Sequence, residues 1–233
     1  DLYLENNKNA FLYDFLRVLI YEPFLKNLQK LTFREHRISN NAVNLLEYPT
    51  ITENSTFINN FYNLQVLDLM SSSIGGHGLI SILSSLPSNR IRKLNIGDCP
   101  FIHFQRSALP GYLDLSLLLS HIPHIEELFL HQSVALDDYT VQLIAKNIKH
   151  IKKLRRLDLS FNTSITGVSI YELVRNLKDR EYIILDKLSL DGCISVSDAT
   201  VNSIRQMGFV KELDCTYEKL AWKKFGVNTF CYT

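Results

Sequence analysis

The stretch Leu154-Arg-Arg-Leu157-Asp-Leu159-Ser-Phe-Asn162-Thr-Ser-Ile165-Thr-Gly-Val-Ser-Ile170 decides the fold. It opens on a hexamer with apolar residues at positions one, four and six. A turn residue, Asn162, follows three places later, and a helix start comes next. The same hexamer recurs as Leu28-Gln-Lys-Leu31-Thr-Phe33, Leu64-Gln-Val-Leu67-Asp-Leu69, Ile91-Arg-Lys-Leu94-Asn-Ile96 and Ile125-Glu-Glu-Leu128-Phe-Leu130. Two more follow, Leu185-Asp-Lys-Leu188-Ser-Leu190 and Val210-Lys-Glu-Leu213-Asp-Cys215. One such hexamer is weak evidence, since apolar residues are common. Agreement downstream is what makes a repeat. The turn position is held in order by His36, Ser72, Cys99, Ser133, Asn162, Cys193 and Glu218.

After the turn comes a helix-start pattern: Ile38-Ser-Asn-Asn-Ala-Val43, Ile74-Gly-Gly-His-Gly-Leu79, Leu136-Asp-Asp-Tyr-Thr-Val141, Ile165-Thr-Gly-Val-Ser-Ile170 and Val196-Ser-Asp-Ala-Thr-Val201. Ser39, Asp137, Thr166 and Ser197 are the expected N-caps, because a short side-chain oxygen can accept from the free N–H groups of a first turn. Apolar stripes at helical spacing follow, Val141/Ile144/Ile148 in one unit and Ile170/Leu173/Val174/Leu177 in another. Each unit therefore reads as a strand, a turn and a helix. Successive strands pair in parallel, and the helices cross back on one side. A single unit cannot bury its apolar face, so the units must stack.

Composition agrees with a folded chain. Of 233 residues, 46% are hydrophobic and 21% charged, with 25 basic and 24 acidic residues for a net charge of +1. That excludes a disordered chain and argues against a protein built mainly to grip nucleic acid. Four cysteines in this length do not make a disulfide framework. The most apolar stretch, Ala10 to Leu19, carries Asp14 and Arg17 and is too short for a bilayer. Leu2-x-Leu4 matches Leu67-x-Leu69, so the chain is expected to open inside a repeat, with more sequence upstream of Asp1 and no basic n-region of a signal peptide at its start.

With Leu-x-x-Leu-x-Leu-x-x-(Asn/Cys) and the Ile-Ser-Asp-like helix start, nearly the whole chain resembles the leucine-rich repeat family. Cys99 and Cys193 at the turn position make it similar to the cysteine-containing subtype, although only two of the seven turns carry Cys. The resemblance implies an α/β solenoid, a horseshoe of about seven to eight repeats with a concave parallel sheet and outer helices. Residues 1–216 form the array, and 217–233 a cap or a tail returning along the inner face. That subtype is common in F-box proteins, where the repeats select substrates for an SCF ubiquitin ligase. The resemblance thus implies a substrate-binding domain, with the SCF adaptor and cullin reached through a segment upstream of Asp1. The alternative is a scaffold or regulatory protein without a ubiquitin link. Two repeats depart from the pattern, by insertions at Tyr48 to Asn60 and around Pro100 to Tyr112.

No nucleophile elbow, P-loop or dinucleotide fingerprint occurs, so no enzyme activity and no cofactor is expected. Gly75-Gly-His-Gly78 reads as a turn, and Pro123 between His121 and His124 spoils the helical spacing of a metal pair. Cys99 and Cys193 lie three repeats apart, too far for one disulfide, and free thiols suggest the nucleus or cytoplasm. The run from Lys149 to Arg156 reads as a solvated loop.

A protein partner is expected on the concave face, built from hexamer positions three and five, which alternate away from the leucines. Position three runs Lys30, Val66, Lys93, Glu127, Arg156, Lys187, Glu212, and position five Thr32, Asp68, Asn95, Phe129, Asp158, Ser189, Asp214. Lys93, Glu127 and Arg156 can pair laterally. Phe129 is large and apolar at an outward position. With His131, Arg156, Asp158 and Phe161 it forms the leading candidate binding cluster, unless an insertion or the tail covers it. Aromatic and Arg anchors dominate protein interfaces. Val66 with Met70 is a second candidate patch.

Overall fold

The computed structural model describes residues 1–5, 27–34, 63–72, 74–84, 86, 90–100, 102–104, 112–133, 136–177 and 184–215. The strands are β1 (Leu2–Glu5), β2 (Lys30–Arg34), β3 (Val66–Asp68), β4 (Lys93–Asn95), β5 (His103–Phe104), β6 (Tyr112–Leu113), β7 (Glu127–Phe129), β8 (Arg156–Asp158), β9 (Leu185–Ser189) and β10 (Val210–Asp214). The helices are α1 (Gly76–Ser84), α2 (Leu115–His121), α3 (Asp138–Asn147), α4 (Gly167–Leu177) and α5 (Asp198–Met207). Eight strands make one open sheet in the order β1-β2-β3-β4-β7-β8-β9-β10. Every pairing in it is parallel.

The register is that of the hexamers. Lys30, Val66, Lys93, Glu127, Arg156 and Lys187 are successive partners across the sheet, and Leu31, Leu67, Leu94, Leu128, Leu157 and Leu188 form the next row. All six leucines are at most 2% exposed and belong to the same core as Val141, Ile144, Ile170, Leu173 and Val174 of the helices. β1 joins in step, with Leu2 opposite Leu31 and Leu4 opposite Phe33. Each buried leucine contributes about 1.5–3 kcal/mol of transfer free energy, so the shared layer is the main stabilising term.

Past each strand the chain turns, and the turn side chain explains the recurring small polar residue. Asn162, 3% exposed, donates from Nδ2 to the carbonyls of Leu159 (2.8 Å) and of Leu130 in the preceding unit (3.0 Å). Its Oδ1 accepts from the Ser133 N–H at 2.9 Å. Cys99 and Cys193 do the equivalent with their thiols, donating to Leu69 O and Leu159 O at 3.1 Å each. Burial pushes these thiols up to about 12 and about 11, which keeps them neutral donors. Both are free cysteines, as is the half-buried Cys215.

Of the expected N-caps, Asp137 accepts from the Thr140 N–H at 3.0 Å and Ser197 from the Thr200 N–H at 3.3 Å. Thr166 Oγ1 accepts from the Val168 N–H at 3.3 Å. Ser39 lies outside the described residues, as do the insertion at Tyr48 to Asn60 and the segment 217–233. A further cap, Asp114, starts α2 by accepting from Ser116 N and Leu117 N. The ends of the second insertion are not plain loop. They form β5 and β6, paired in parallel, and bury Phe104 and Leu113 in the core. The Leu113 backbone passes so close to Gly76 that a Cβ there would meet it at 3.0 Å.

Asp138 ties two helix starts together. Its carboxylate accepts from the Thr166 N–H (2.7 Å) and hydroxyl (2.7 Å) and from the Ser169 hydroxyl (2.6 Å). Burial opposes its ionisation, but the Ser169 and Thr166 hydrogen bonds outweigh burial and hold the carboxyl below its ordinary range.

Two outcomes are expected. Asn162→Ala leaves the Ser133 N–H without its acceptor, while Leu130 O keeps the Ser133 hydroxyl and Leu159 O the Cys193 thiol. The loss of about 1–3 kcal/mol for that group should register in urea unfolding as a lowered midpoint with an unchanged slope. Because the folded carboxyl of Asp138 is the stronger acid, its stabilisation is complete above the ordinary carboxylate pKa of about 3.9 and is lost as pH falls through the lower folded value. Asp138→Asn should therefore flatten the acid limb of the stability profile.

Candidate partner-binding face

The sheet face opposite the helices carries the candidate residues. Phe129 ends β7, with His131 in the turn behind it; Arg156 and Asp158 belong to β8, with Phe161 in the turn behind that. These five line one depression of about 470 Å³, together with Ser160, Lys187, Ser189, Asp191 and Asp214. The structure thus brings the leading cluster together. It separates the second patch: Val66 and Met70 are half-buried on and just after β3, two strands from β7.

Position five is less open than strand alternation predicts. Thr32, Asp68, Asn95 and Ser189 are all buried, although they face away from the leucines. Three of the position-five side chains bond into the turn ahead, whereas the buried Thr32 hydroxyl makes no hydrogen bond among the described residues. Asp68 Oδ1 accepts from the Met70 N–H (3.2 Å), Asn95 Oδ1 from the Gly97 N–H (3.1 Å) and Asp158 Oδ1 from the Ser160 N–H (2.9 Å). Arg34 covers Asp68 with an ion pair at 2.7 Å. Phe129 cannot make such a bond, and its ring instead stands half-exposed with the Lys93 ammonium 4.7 Å from its centroid.

Position three pairs sideways across neighbouring strands. Lys93 meets Glu127 at 3.1 Å, and Arg156 meets the other oxygen of Glu127 at 3.7 Å. Lys187 bridges Asp214 (2.5 Å) and Glu212 (2.7 Å), and those hydrogen bonds raise its pKa above the usual lysine range. His131 Nδ1 is buried without a hydrogen bond, 3.8 Å from Asp158 Oδ2. The basic run splits in two: Lys149, Lys152 and Lys153 are exposed before β8, whereas Arg156 joins the depression.

Two glycines shape the walls. The turn residues Ser71, Asp98, Gln132, Phe161 and Gly192 form one column, and all have positive φ. Glycine takes that conformation freely and short polar residues tolerate it; a phenylalanine there is strained. Phe161 nevertheless holds φ 60° with 55% of its surface exposed. Its N–H donates to Asp191 O at 2.6 Å, and its ring lies on Gly192, where a Cβ would meet Cδ1 at 2.5 Å. The His131 ring lies likewise on Gly97, with Cε1 2.2 Å from a notional Cβ. Neither glycine follows from the hexamer alone. The available signal was positional, since each glycine occupies the same turn column as the ring on the neighbouring strand.

Gly192→Ala sets both the backbone and the Phe161 ring under strain and should cost about 1–3 kcal/mol. Phe161→Gly relieves the same backbone and should leave the thermal midpoint unchanged or higher. Paired melting curves of the two variants check this opposition.

No family model matches the chain. It is similar to Protein DIA2 of Saccharomyces cerevisiae, 36% identical over 249 aligned residues that take in 100% of this chain and 34% of that protein. It is also similar to Protein DIA2 of Eremothecium gossypii, 30% identical over 233 residues, 100% of this chain and 33% of that protein. The chain spans about a third of the length of these relatives.

Proposed function

We propose that this chain is a protein-recognition array of the leucine-rich repeat type, with about seven to eight repeats and a concave sheet face that receives a protein partner. The observation that carries the reading is the depression at Phe129, His131, Arg156, Asp158 and Phe161. It gathers aromatic and Arg side chains on a face otherwise made of short, buried polar residues and lateral ion pairs. Such side chains are the usual anchors of protein interfaces. A phenylalanine kept exposed at a strained backbone position favours recognition over packing, since strain of this kind collects at functional sites.

Within that reading, the array serves as the substrate-binding part of an F-box protein in an SCF ubiquitin ligase and works in the nucleus or cytoplasm. The support is the resemblance in the repeat pattern, including thiols at two turn positions. The chemistry of ubiquitin transfer belongs to other proteins, and this chain supplies affinity and orientation. Among the described residues no helix is long and apolar enough to cross a membrane.

Two measurements decide. Phe129→Ala combined with Phe161→Ala should abolish partner capture while the far-ultraviolet circular dichroism is unchanged; capture at the original level would remove the face from the account. Purification of the full-length protein should bring down the SCF adaptor and cullin, and their absence would leave the scaffold reading in its place.

A further inference from the structure

We infer that the depression selects a partner segment carrying a lysine or arginine, whose side chain lies over the exposed Phe161 ring and whose charge meets Asp158. This rests on the partner-face reading above and specifies the chemistry of what binds there.

The charge balance is the first argument. The two cations in the lining are already engaged, Arg156 by Glu127 and Lys187 by Asp214 and Glu212. Taking the depression with the groups paired to it, and leaving Asp191 aside, three cations (Lys93, Arg156, Lys187) face four carboxylates (Glu127, Asp158, Glu212, Asp214). An acidic segment would have to displace carboxylates from Arg156 or Lys187. A basic segment meets Asp158 without displacing Arg156 or Lys187 from their carboxylates.

The second argument is the aromatic pair. A cation over a ring face is attracted by the ring quadrupole. The face already holds one example, the Lys93 ammonium 4.7 Å from the centroid of Phe129. Phe161 is the other ring of the depression. It is fixed from below by Gly192 and from its own N–H by Asp191 O, and its outer side is open. Asp158 stands in the same depression with Oδ1 engaged by Ser160, while Oδ2 lies 3.8 Å from His131 Nδ1 and takes no hydrogen bond among the described residues. Aromatic surface and carboxylate oxygen together match the apolar stem and charged head of a long basic side chain.

The repeat supplies clean variants for the test. Asn95 occupies the place of Asp158 two repeats earlier and makes the same bond to the turn ahead, so Asp158→Asn removes charge and keeps the acceptor. Gly192 occupies the turn column of Phe161, so Phe161→Gly removes the ring and keeps the backbone.

The whole chain should be titrated, by fluorescence anisotropy, with two matched Gly/Ser peptides, one carrying three lysines and the other three glutamates. The lysine peptide should bind and the glutamate peptide should not. Asp158→Asn and Phe161→Gly should each weaken lysine-peptide binding at least tenfold. Asp198→Asn, the same charge change on exposed α5, should alter it less than twofold. Preference for the glutamate peptide, no binding of the lysine peptide, or equal losses in the two Asp variants would overturn the inference. The two levels stay distinct. If the double phenylalanine variant loses partner capture while the lysine arm fails, the face stands and its basic selectivity falls. If capture survives the double variant, the face itself falls.

Discussion

The carbonyls of Leu69, Leu130 and Leu159, just past β3, β7 and β8, each take one hydrogen bond from their own turn and one from the next unit, and that link between units organises the rest. The turn side chain of the next unit reaches across to them: Cys99 to Leu69 O, Asn162 to Leu130 O, Cys193 to Leu159 O. A buried carbonyl left unpaired is costly, so a donor at that position is required as firmly as a leucine in the core. Asn and Cys meet the need because they are short enough to stay under the turn. Once the carbonyls and leucines lock, the register of the sheet follows, and every sequence position becomes a column on a surface.

Column geometry is what gives a repeat a continuous surface. Residues far apart in sequence, such as Phe129 and Asp158, are direct partners across β7 and β8. Much of the face neutralises itself: Asp68, Asn95 and Asp158 at position five bond the turns ahead, and position-three charges pair sideways. Against that background the exceptions stand out. Phe129 replaces a turn acceptor, and Phe161 takes a left-handed position that its column otherwise fills with Ser, Asp, Gln or Gly. The surrounding ladder makes the strain tolerable, because the Phe161 N–H must still meet Asp191 O whatever its side chain.

Much of this was legible in the residues. The hexamers state the strands, their order and their register, and the outward large apolar residue at 129 points to the depression. What was hidden had physical causes. The low-lying side chains of Asp68 and Asn95 depend on bonds within turns, which alternation along a single strand does not encode. The caps of α2 and the β5–β6 pair follow an insertion where the repeat template has no matching position. Gly97 and Gly192 act through rings on adjacent strands, so their role needs two columns read together. Val66 and Met70, the second candidate patch, lie two strands from β7 and outside the depression, a distance the hexamer register already implies.

The same column logic changes the meaning of the overall charge. A net of +1 from 25 basic and 24 acidic residues suggests a surface without electrical character. Yet lateral pairing cancels charges strand by strand, and what survives is set by columns with an unequal count. Between β7 and β10 the carboxylates outnumber the cations, because Asp158 and Asp214 extend position five where Phe129 and Ser189 add nothing of opposite sign. Interactions between exposed charges fade beyond about 10 Å in ordinary salt. A partner docking there therefore senses this local surplus and not the chain total. The exposed ring sits at its edge, which joins the aromatic and the electrostatic features of the face in one place.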